Sequence, residues 1–257
     1  GLQWDRALGF LGEVERPEAV TYNAAISACG NCKQWERASG LLKAMAQAGC
    51  EPTTVTYNAA ISAFQKGSQW ERALGLFVEM GPRELEPDLI SYNAAIAALD
   101  RGSQWECVLH LFEEMDSLAC APDDVTFNAV ISALEKSGWW ERALRFLDEM
   151  TRRSWVPGLI AYNAAISACE KGLQWERALG LLGEMARSGC DPTTSSYNRA
   201  ISVTEKGLRW EHALALFRES FEPDVVTYNA VIRACGRCLH RERAMQLLCE
   251  MRELALW

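Results

Sequence analysis

Apolar residues in the segment 54–88 recur at intervals of three and four, the spacing that places side chains along one face of an α-helix. Two such stripes follow each other. The first contains Val55, Ala59, Ala60, Ile61 and Phe64, and the second contains Trp70, Ala73, Leu74, Phe77 and Met80. The pattern therefore predicts two short helices, each with one buried stripe.

The residues between the stripes predict where these helices begin and end. Gly67 and Ser68 separate the two stripes, and glycine is suited to the left-handed residue that closes a helix. Pro87 follows the second stripe, where its missing amide ends regular structure. The Thr-Thr, Asp-Asp or Asp-Val residues that follow such prolines are suited to cap the next helix. Each repeat is thus predicted to be a helical hairpin.

The same pattern recurs along the whole chain of 257 residues. An Asn that follows an aromatic residue occurs at Asn23, Asn58, Asn93, Asn128, Asn163, Asn198 and Asn229, at intervals of 35 and finally 31. A second interval of 31 separates Trp4 from Trp35. A hairpin of this size cannot alone offset its ordering entropy, so stacked copies are expected, with the recurrent Trp, Met and Leu at the interfaces. The predicted repeats are 19–53, 54–88, 89–123, 124–158, 159–193, 194–224 and 225–257, after a partial leading repeat, 1–18.

Composition limits the function classes. The longest apolar stretches fall short of 18 residues, so no membrane span is predicted. The ten Cys follow the repeat and indicate reduced thiols. The pairs in "CGNC" and "CGRC" lie in repeats at opposite ends of the chain, and each would need further ligands to hold zinc. We therefore predict neither a metal nor another cofactor, no small-molecule substrate and no enzyme activity.

The net charge of −8 argues against bulk attraction to nucleic acid. Eight residues after the repeated Asn, however, six of seven repeats have a cation, with Asn31 in the seventh. These cations are Lys66, Arg101, Lys136, Lys171, Lys206 and Arg237. An acid regularly follows the Trp of the second helix. If first and second helices form separate walls, a basic inner and an acidic outer wall would result. The cations are equally suited to the negative end of the helix dipole, and both roles can hold together.

The tandem "VTYNAAISACEKG", "QWERALGLLGEM" and "GCEPTT" resembles the pentatricopeptide repeat family over essentially all 257 residues. The 35-residue period, the Tyr-Asn pair, the Ala-Leu second helix and the proline before each new repeat carry this resemblance. Trp in "QWERAL" departs from the Leu or charged residue that is commoner there. The resemblance implies single-stranded RNA recognition at one base per repeat.

Three positions of each repeat are implied to contact RNA. They are the repeated Asn, the last residue of the repeat, and an apolar wedge three residues before the Asn. The pairs Asn58–Asp88, Asn93–Asp123 and Asn198–Asp224 imply uracil, Asn23–Thr53 and Asn163–Thr193 imply a pyrimidine, Asn128–Gly158 implies loose recognition, and Asn229 has no partner. The wedges are Val20, Val55, Ile90, Val125, Ile160 and Val226, whereas Ser195 departs from the pattern. The cations are predicted to meet phosphates.

The predicted fold is therefore an all-α, right-handed α-solenoid of tandem helix-turn-helix repeats. Its predicted function is binding of uracil-leaning, pyrimidine-rich RNA in organelle RNA metabolism, with a mitochondrial or chloroplast location implied by the family. The alternative is a protein-interaction scaffold of the tetratricopeptide type. The chain begins with Gly rather than Met, so we expect a fragment in which a targeting peptide would not be seen.

Overall fold

The computed structural model describes Asp5, Gly9 and residues 18–220 and 223–254. Within these residues it contains fourteen α-helices, one 3₁₀ turn and no strand. Most of the partial leading repeat, together with Trp4, lies outside the described residues. The chain forms two compact units, which we call the N-terminal unit (1–133) and the C-terminal unit (134–257).

Helices alternate regularly between two kinds. What we call the first helices are α1 (Ala19–Asn31), α3 (Thr54–Lys66), α5 (Leu89–Arg101), α7 (Asp124–Lys136), α9 (Leu159–Lys171), α11 (Thr194–Lys206) and α13 (Val225–Arg237). The second helices are α2 (Trp35–Gln47), α4 (Trp70–Met80), α6 (Trp105–Ser117), α8 (Trp140–Arg152), α10 (Trp175–Arg187), α12 (Trp210–Glu219) and α14 (Arg241–Glu253). None of the described helices is both long and apolar enough to span a bilayer.

Packing places the two kinds of helix in separate layers. In the N-terminal unit, α3 packs between α1 and α5, while α2 and α4 each pack on their own first helix and on the next one. In the C-terminal unit, α11 packs between α9 and α13, and α10 and α12 repeat the arrangement of α2 and α4. The predicted all-α solenoid of stacked hairpins is confirmed.

The core of each hairpin is formed by the predicted stripes. Tyr57, Ile61 and Phe64 of α3 are buried, as are Phe77 and Met80 of α4. The hydroxyl of Tyr57 donates to Glu79 Oε1 at 3.0 Å, which ties the two helices of one repeat together. Tyr92 donates to Glu114 in the same way at 3.2 Å. The Tyr of the Tyr-Asn pair is therefore a packing residue.

Val55 differs from the rest of its predicted stripe, because its side chain is 62% exposed. It lies in the first turn of α3, ahead of the residues that pack on the neighbouring helices. Its burial was wrongly predicted, since three-and-four spacing alone does not show where along a helix the contact with a neighbour begins.

The glycine that follows the first helix is not the left-handed residue, so this prediction was wrong. Gly67 has φ −82°, and the left-handed residue is Ser68 with φ 57°. What Gly67 provides is space, because an added Cβ would lie 2.5 Å from Cδ1 of Trp35 in the preceding repeat. Gly102 has the same relation to Trp70 at 2.5 Å. The repeated Trp and Gly thus form one contact between neighbouring repeats.

Two second helices are shorter than the usual 13 residues. Helix α12 has 10 residues and belongs to the short, 31-residue interval. Helix α4 has 11, because Pro82 lies in a 3₁₀ turn, Gly81–Arg83, that ends it early. This second shortening was not predicted, although the Gly-Pro dipeptide is its visible cause.

Candidate nucleic-acid interface

The last residue of a repeat caps the first helix of the next repeat. Asp88 Oδ1 accepts from the Ser91 amide at 2.8 Å, and the Asp88 amide donates to Ser91 Oγ at 3.1 Å. Reciprocal capping boxes of this kind also begin α3, α11 and α13, at Thr53, Thr193 and Asp224. The predicted helix caps are thus confirmed at these positions, and the last residue of each of these repeats is fixed relative to the helix that follows.

The same Asp side chains contact the repeated Asn of the preceding first helix. Asn58 Nδ2 donates to Asp88 Oδ1 at 3.0 Å, Asn93 Nδ2 donates to Asp123 Oδ1 at 3.1 Å, and Asn198 Nδ2 donates to Asp224 Oδ1 at 3.1 Å. An ionised carboxylate only accepts hydrogen bonds, so the NH₂ group of each amide must point toward it. The structure therefore brings together the three Asn–Asp pairs that the sequence singled out.

A hydroxyl from the next first helix completes two of these pairs. Ser91 Oγ donates to Asn58 Oδ1, and Thr126 Oγ1 donates to Asn93 Oδ1, both at 2.6 Å. Ser91 and Thr126 are fully buried, while Asn58 is 8% exposed. Each of these Asn amides is thus held at both ends by the following repeat. The hydroxyl was not predicted, although Ser or Thr directly before the aromatic residue is a visible signal in the sequence.

The remaining Asn residues are arranged differently. Asn23 Oδ1, Asn163 Oδ1 and Asn198 Oδ1 are buried and have no hydrogen-bond partner among the described residues. Asn128 and Gly158 belong to different compact units, so we describe no geometry for this pair. Gly158 precedes α9 without a side-chain cap. The side chain of Asn229 is exposed.

Hydrogen bonding changes the acidity of two of the Asp residues. Burial alone would raise the pKa of Asp88, but hydrogen bonds from Ser91 and Asn58 outweigh it and hold the pKa below its usual value. Burial likewise opposes the hydrogen bonds from Thr227 and Asn198 at Asp224, and its pKa is also lowered. Both carboxylates are therefore charged acceptors at neutral pH.

The predicted wedge residues form an exposed aliphatic series on the first helices. Each precedes its Asn by three residues, so that the two side chains lie on one side of the helix. The exposed fractions are 75% for Val20, 62% for Val55, 63% for Ile90, 52% for Val125, 65% for Ile160 and 58% for Val226. Ser195 is exposed as well. The predicted wedge positions are therefore accessible on the first helices.

The cations at the ends of the first helices make contacts between repeats. Lys66 Nζ donates to Asn31 Oδ1 at 2.7 Å. Lys171 lies 3.2 Å from Glu135, Lys206 lies 2.9 Å from Glu170, and Arg237 lies 3.7 Å from Glu205. These acids directly precede a cation in the sequence, and the predicted basic wall did not include them. The first-helix layer is therefore mixed in charge, with side chains of the three paired cations still 40–54% exposed.

Family models match most of the chain. A PPR repeat family model matches residues 17–66, 52–101, 87–136 and 122–169, and a second PPR repeat model matches 160–190 and 226–255. The chain belongs to the pentatricopeptide repeat family. Among curated proteins, none matches this pentatricopeptide chain.

Solved structures of other pentatricopeptide proteins have the same fold. The chain is 26% identical to the pentatricopeptide repeat protein PPR10 from maize, with a TM-score of 0.75. The match covers 98% of this chain but 37% of that one. PPR10 in complex with an 18-nt psaJ RNA element matches at 22% identity and a TM-score of 0.61, over 99% of this chain and 43% of that chain. The PPR domain of Arabidopsis thaliana protein-only RNase P 1 in complex with tRNA matches at 14% identity and a TM-score of 0.60. The match covers 68% of this chain and 94% of that chain.

The cysteine pairs of this pentatricopeptide array remain thiols. Cys29, Cys32, Cys235 and Cys238 are all unbridged. Burial raises the pKa of Cys29, with a smaller lowering effect from Arg37. Among the described residues, no three His, Cys, Asp or Glu side chains are grouped so that they could hold a metal ion.

Proposed function

We propose that this array binds single-stranded RNA along its first-helix layer, with one base per repeat and a preference for uracil at three repeats. The observation that carries the proposal is the side-by-side placement of Asn and Asp at the junction of consecutive repeats, as in Asn58 and Asp88. Membership of the pentatricopeptide family supports RNA as the ligand. The RNA-bound proteins named above share the fold.

The Asn–Asp pair has hydrogen-bonding groups left for a base. Asn58 Nδ2 carries two protons, of which the bond to Asp88 uses one. The Asp88 carboxylate has a second oxygen that can accept. Uracil offers a carbonyl oxygen next to an N–H group, so the amide would donate to the carbonyl and the carboxylate would accept from the N–H. Purines are larger, and we propose that they fit the space between successive wedges less well.

The neighbouring groups would hold the rest of the nucleotide. The exposed wedges, such as Val55 and Ile90, would lie against the faces of the bases and exclude water from them. Lys66 and Arg101, with the other cations of this series, would contact phosphates, which position the strand without recognising its sequence. Where a cation already pairs with an acid, as Lys206 does with Glu170, a phosphate would have to replace the carboxylate.

The biological setting is proposed from the family alone. We propose that the protein acts in RNA metabolism of a mitochondrion or chloroplast, as an RNA-binding array without catalytic activity of its own. An RNA cleavage assay with the chain alone, in buffer with and without Mg²⁺, tests this last point. Cleavage above the level of a buffer control would contradict it.

Fluorescence anisotropy with labelled single-stranded oligonucleotides tests RNA binding. We expect tighter binding to U-rich than to purine-rich RNA, with affinity that falls as salt rises, because phosphate contacts release counterions. Negligible and equal binding to all sequences would instead favour the protein-interaction scaffold.

Base recognition by one repeat is tested by Asn58→Thr with Asp88 retained. We expect the preference at one base position to move from uracil toward guanine, in line with the family resemblance. The internal control is the base opposite Asn93, whose Asn–Asp pair the substitution leaves intact. If discrimination opposite Asn58 changes no more than discrimination opposite Asn93, Asn58 does not recognise a base.

A further inference from the structure

We propose that Ser91 and Thr126 are positioning residues for base recognition by the preceding repeat. Each is the third residue of a first helix, α5 or α7, and each would fix the amide of the Asn one repeat earlier. The inference rests on the proposed function. It adds to each base-contacting pair a third side chain, which comes from the next repeat.

The hydroxyl of Ser91 has one proton and two acceptors nearby. Asn58 Oδ1 lies at 2.6 Å and Asp88 Oδ1 at 2.9 Å. The Asp88 carboxylate oxygen already accepts from the Ser91 amide and from Asn58 Nδ2, whereas Asn58 Oδ1 has no other donor among the described residues. The proton is therefore best placed on Asn58 Oδ1. This closes a ring of hydrogen bonds around the amide.

The ring at Asn93 has the same construction. Thr126 Oγ1 lies 2.6 Å from Asn93 Oδ1, and the Thr126 amide donates to Asp123 Oδ1 at 2.9 Å. In both rings Oδ1 of the Asn is directed into the protein and satisfied there. At Asn58 only the second Nδ2 proton of the amide then remains for a base. At Asn93 the Nδ2 group also lies 3.3 Å from Asp123 Oδ2. In the closed ring the Asn can therefore donate a hydrogen bond to a base through Nδ2, but its Oδ1 is not available to accept one from a base.

In other repeats the same hydroxyl does not bond the Asn. Its contact with the Asp is not the difference, since Thr126 Oγ1 also lies 2.8 Å from Asp123 Oδ1 in the ring at Asn93. At Asn198 the Thr227 hydroxyl donates to Asp224 at 2.8 Å, and Asn198 Oδ1 is buried without a partner. At Asn163 the Ser196 hydroxyl lies 3.2 Å from the hydroxyl of Thr193, and Asn163 Oδ1 is again unpaired. The ring is therefore closed at Asn58 and Asn93 but open at Asn198 and Asn163.

This difference separates repeats that share the same Asn–Asp pair. If the two residues alone set the preference, Asn58 and Asn198 should discriminate uracil equally. If the hydroxyl contributes, the closed ring at Asn58 should discriminate more strongly than the open ring at Asn198. The contribution of one hydrogen bond corresponds to a ratio of about 3- to 10-fold.

The experiment measures anisotropy with four oligonucleotides that differ only in the base opposite Asn58. The variants are Ser91→Ala and the rescue variant Ser91→Thr. The control is Ser196→Ala, which removes the equivalent hydroxyl from a capping box with no bond to an Asn. We expect Ser91→Ala to reduce the preference for uracil at that position by about 3- to 10-fold. Ser91→Thr should restore it, and Ser196→Ala should leave the preference opposite Asn163 unchanged.

Thr126→Val provides a second test at the other closed ring. It removes the hydroxyl with a side chain of nearly the same shape, so the result does not depend on whether Ser91→Ala folds. Its expected effect is the same reduction opposite Asn93. Unchanged ratios in Ser91→Ala and Thr126→Val, with Asn58→Thr still altering the preference, would overturn this inference and leave the proposed function intact. Equal losses in Ser91→Ala and Ser91→Thr would also overturn it. Absence of any base preference in the unmodified protein would instead refute the proposed function itself.

Discussion

Substitution of Gly102 by Ala tests the contact that joins neighbouring repeats. Gly102 follows α5, and the side chain of Trp70 from the preceding repeat occupies the space that a Cβ at this position would need. A Cβ at this position would lie 2.5 Å from both Cδ1 and Cγ of Trp70. Because an aromatic ring cannot yield as the end of a flexible side chain can, the indole or the helix end must shift. Gly102→Ala should therefore destabilise the array.

The size of this effect follows from two opposing contributions. Gly102 has φ −80° in the right-handed helical region, so its backbone accepts Ala without strain. Ala alone would stabilise such a position by roughly 0.5–1 kcal/mol. Overpacking against a fixed neighbour costs about 1–3 kcal/mol. The expected net loss in the free energy of unfolding is about 0.5–2 kcal/mol, which lowers the Tm by about 1–8 °C for a chain of this size.

Two matched variants isolate the cause. Gly75→Ala makes the same change in α4, where nothing lies within 4 Å of the added Cβ, and should raise the Tm. Ser103 has φ 56°, a left-handed conformation that is strained for a residue with a Cβ. Ser103→Gly removes this strain and should raise the free energy of unfolding by about 0.5 kcal/mol. Thermal unfolding followed by circular dichroism measures all three variants. The reasoning fails if Gly102→Ala is as stable as Gly75→Ala, or if Ser103→Gly lowers the Tm.

Three further predictions concern the core, the caps and the wedges. Met80→Ala should cost about 2–5 kcal/mol because Met80 is fully buried, whereas Val78→Ala, at a side chain 63% exposed, should change stability by less than about 0.5 kcal/mol in urea unfolding. Because the pKa of Asp88 is lower in the folded state, its contribution is present above the unfolded pKa and is lost as the pH falls through the folded pKa. The gap in Tm between the protein and Asp88→Asn should therefore narrow below about pH 4 and stay constant near neutrality, and a gap that widens on acidification would contradict this. Val55→Ala should weaken RNA binding in anisotropy assays without loss of stability, whereas Val78→Ala, almost equally exposed but on a second helix, should leave RNA binding unchanged.

The fold could be predicted from the sequence because the same helix-forming and helix-ending signals recur in each repeat. Two apolar stripes, a proline and a capping residue recur, and each helix begins and ends close to these signals. The error at Gly67 has a physical origin. Glycine is common where the chain is left-handed, but it is also required where another side chain approaches the backbone closely. Sequence alone does not distinguish these two uses, whereas the position of Trp35 does.

The candidate site was less predictable than the fold. The resemblance to the family located the Asn–Asp pairs, and the structure places them within hydrogen-bond distance. The resemblance gave no sign that Ser91 would contact Asn58, because that contact depends on how two repeats stack. The acids Glu135, Glu170 and Glu205 were overlooked for a similar reason. Their charges matter only because a cation from the next repeat lies beside them.

These contacts share one property, namely that each joins a repeat to the one that follows it. Asp88 belongs to one repeat by sequence, but it caps α5 and holds Asn58 through the same oxygen. A substitution at this residue should therefore alter helix stability and, under the proposed function, base preference together. Where the last residue of the repeat is Thr193 instead of Asp, the Ser196 hydroxyl lies 3.2 Å from the Thr193 hydroxyl and Asn163 Oδ1 has no partner among the described residues. If the proposed function holds, base preference depends on the junction of two repeats, and repeats exchanged as single blocks should retain their preference only when the first three residues of the following helix are moved with them.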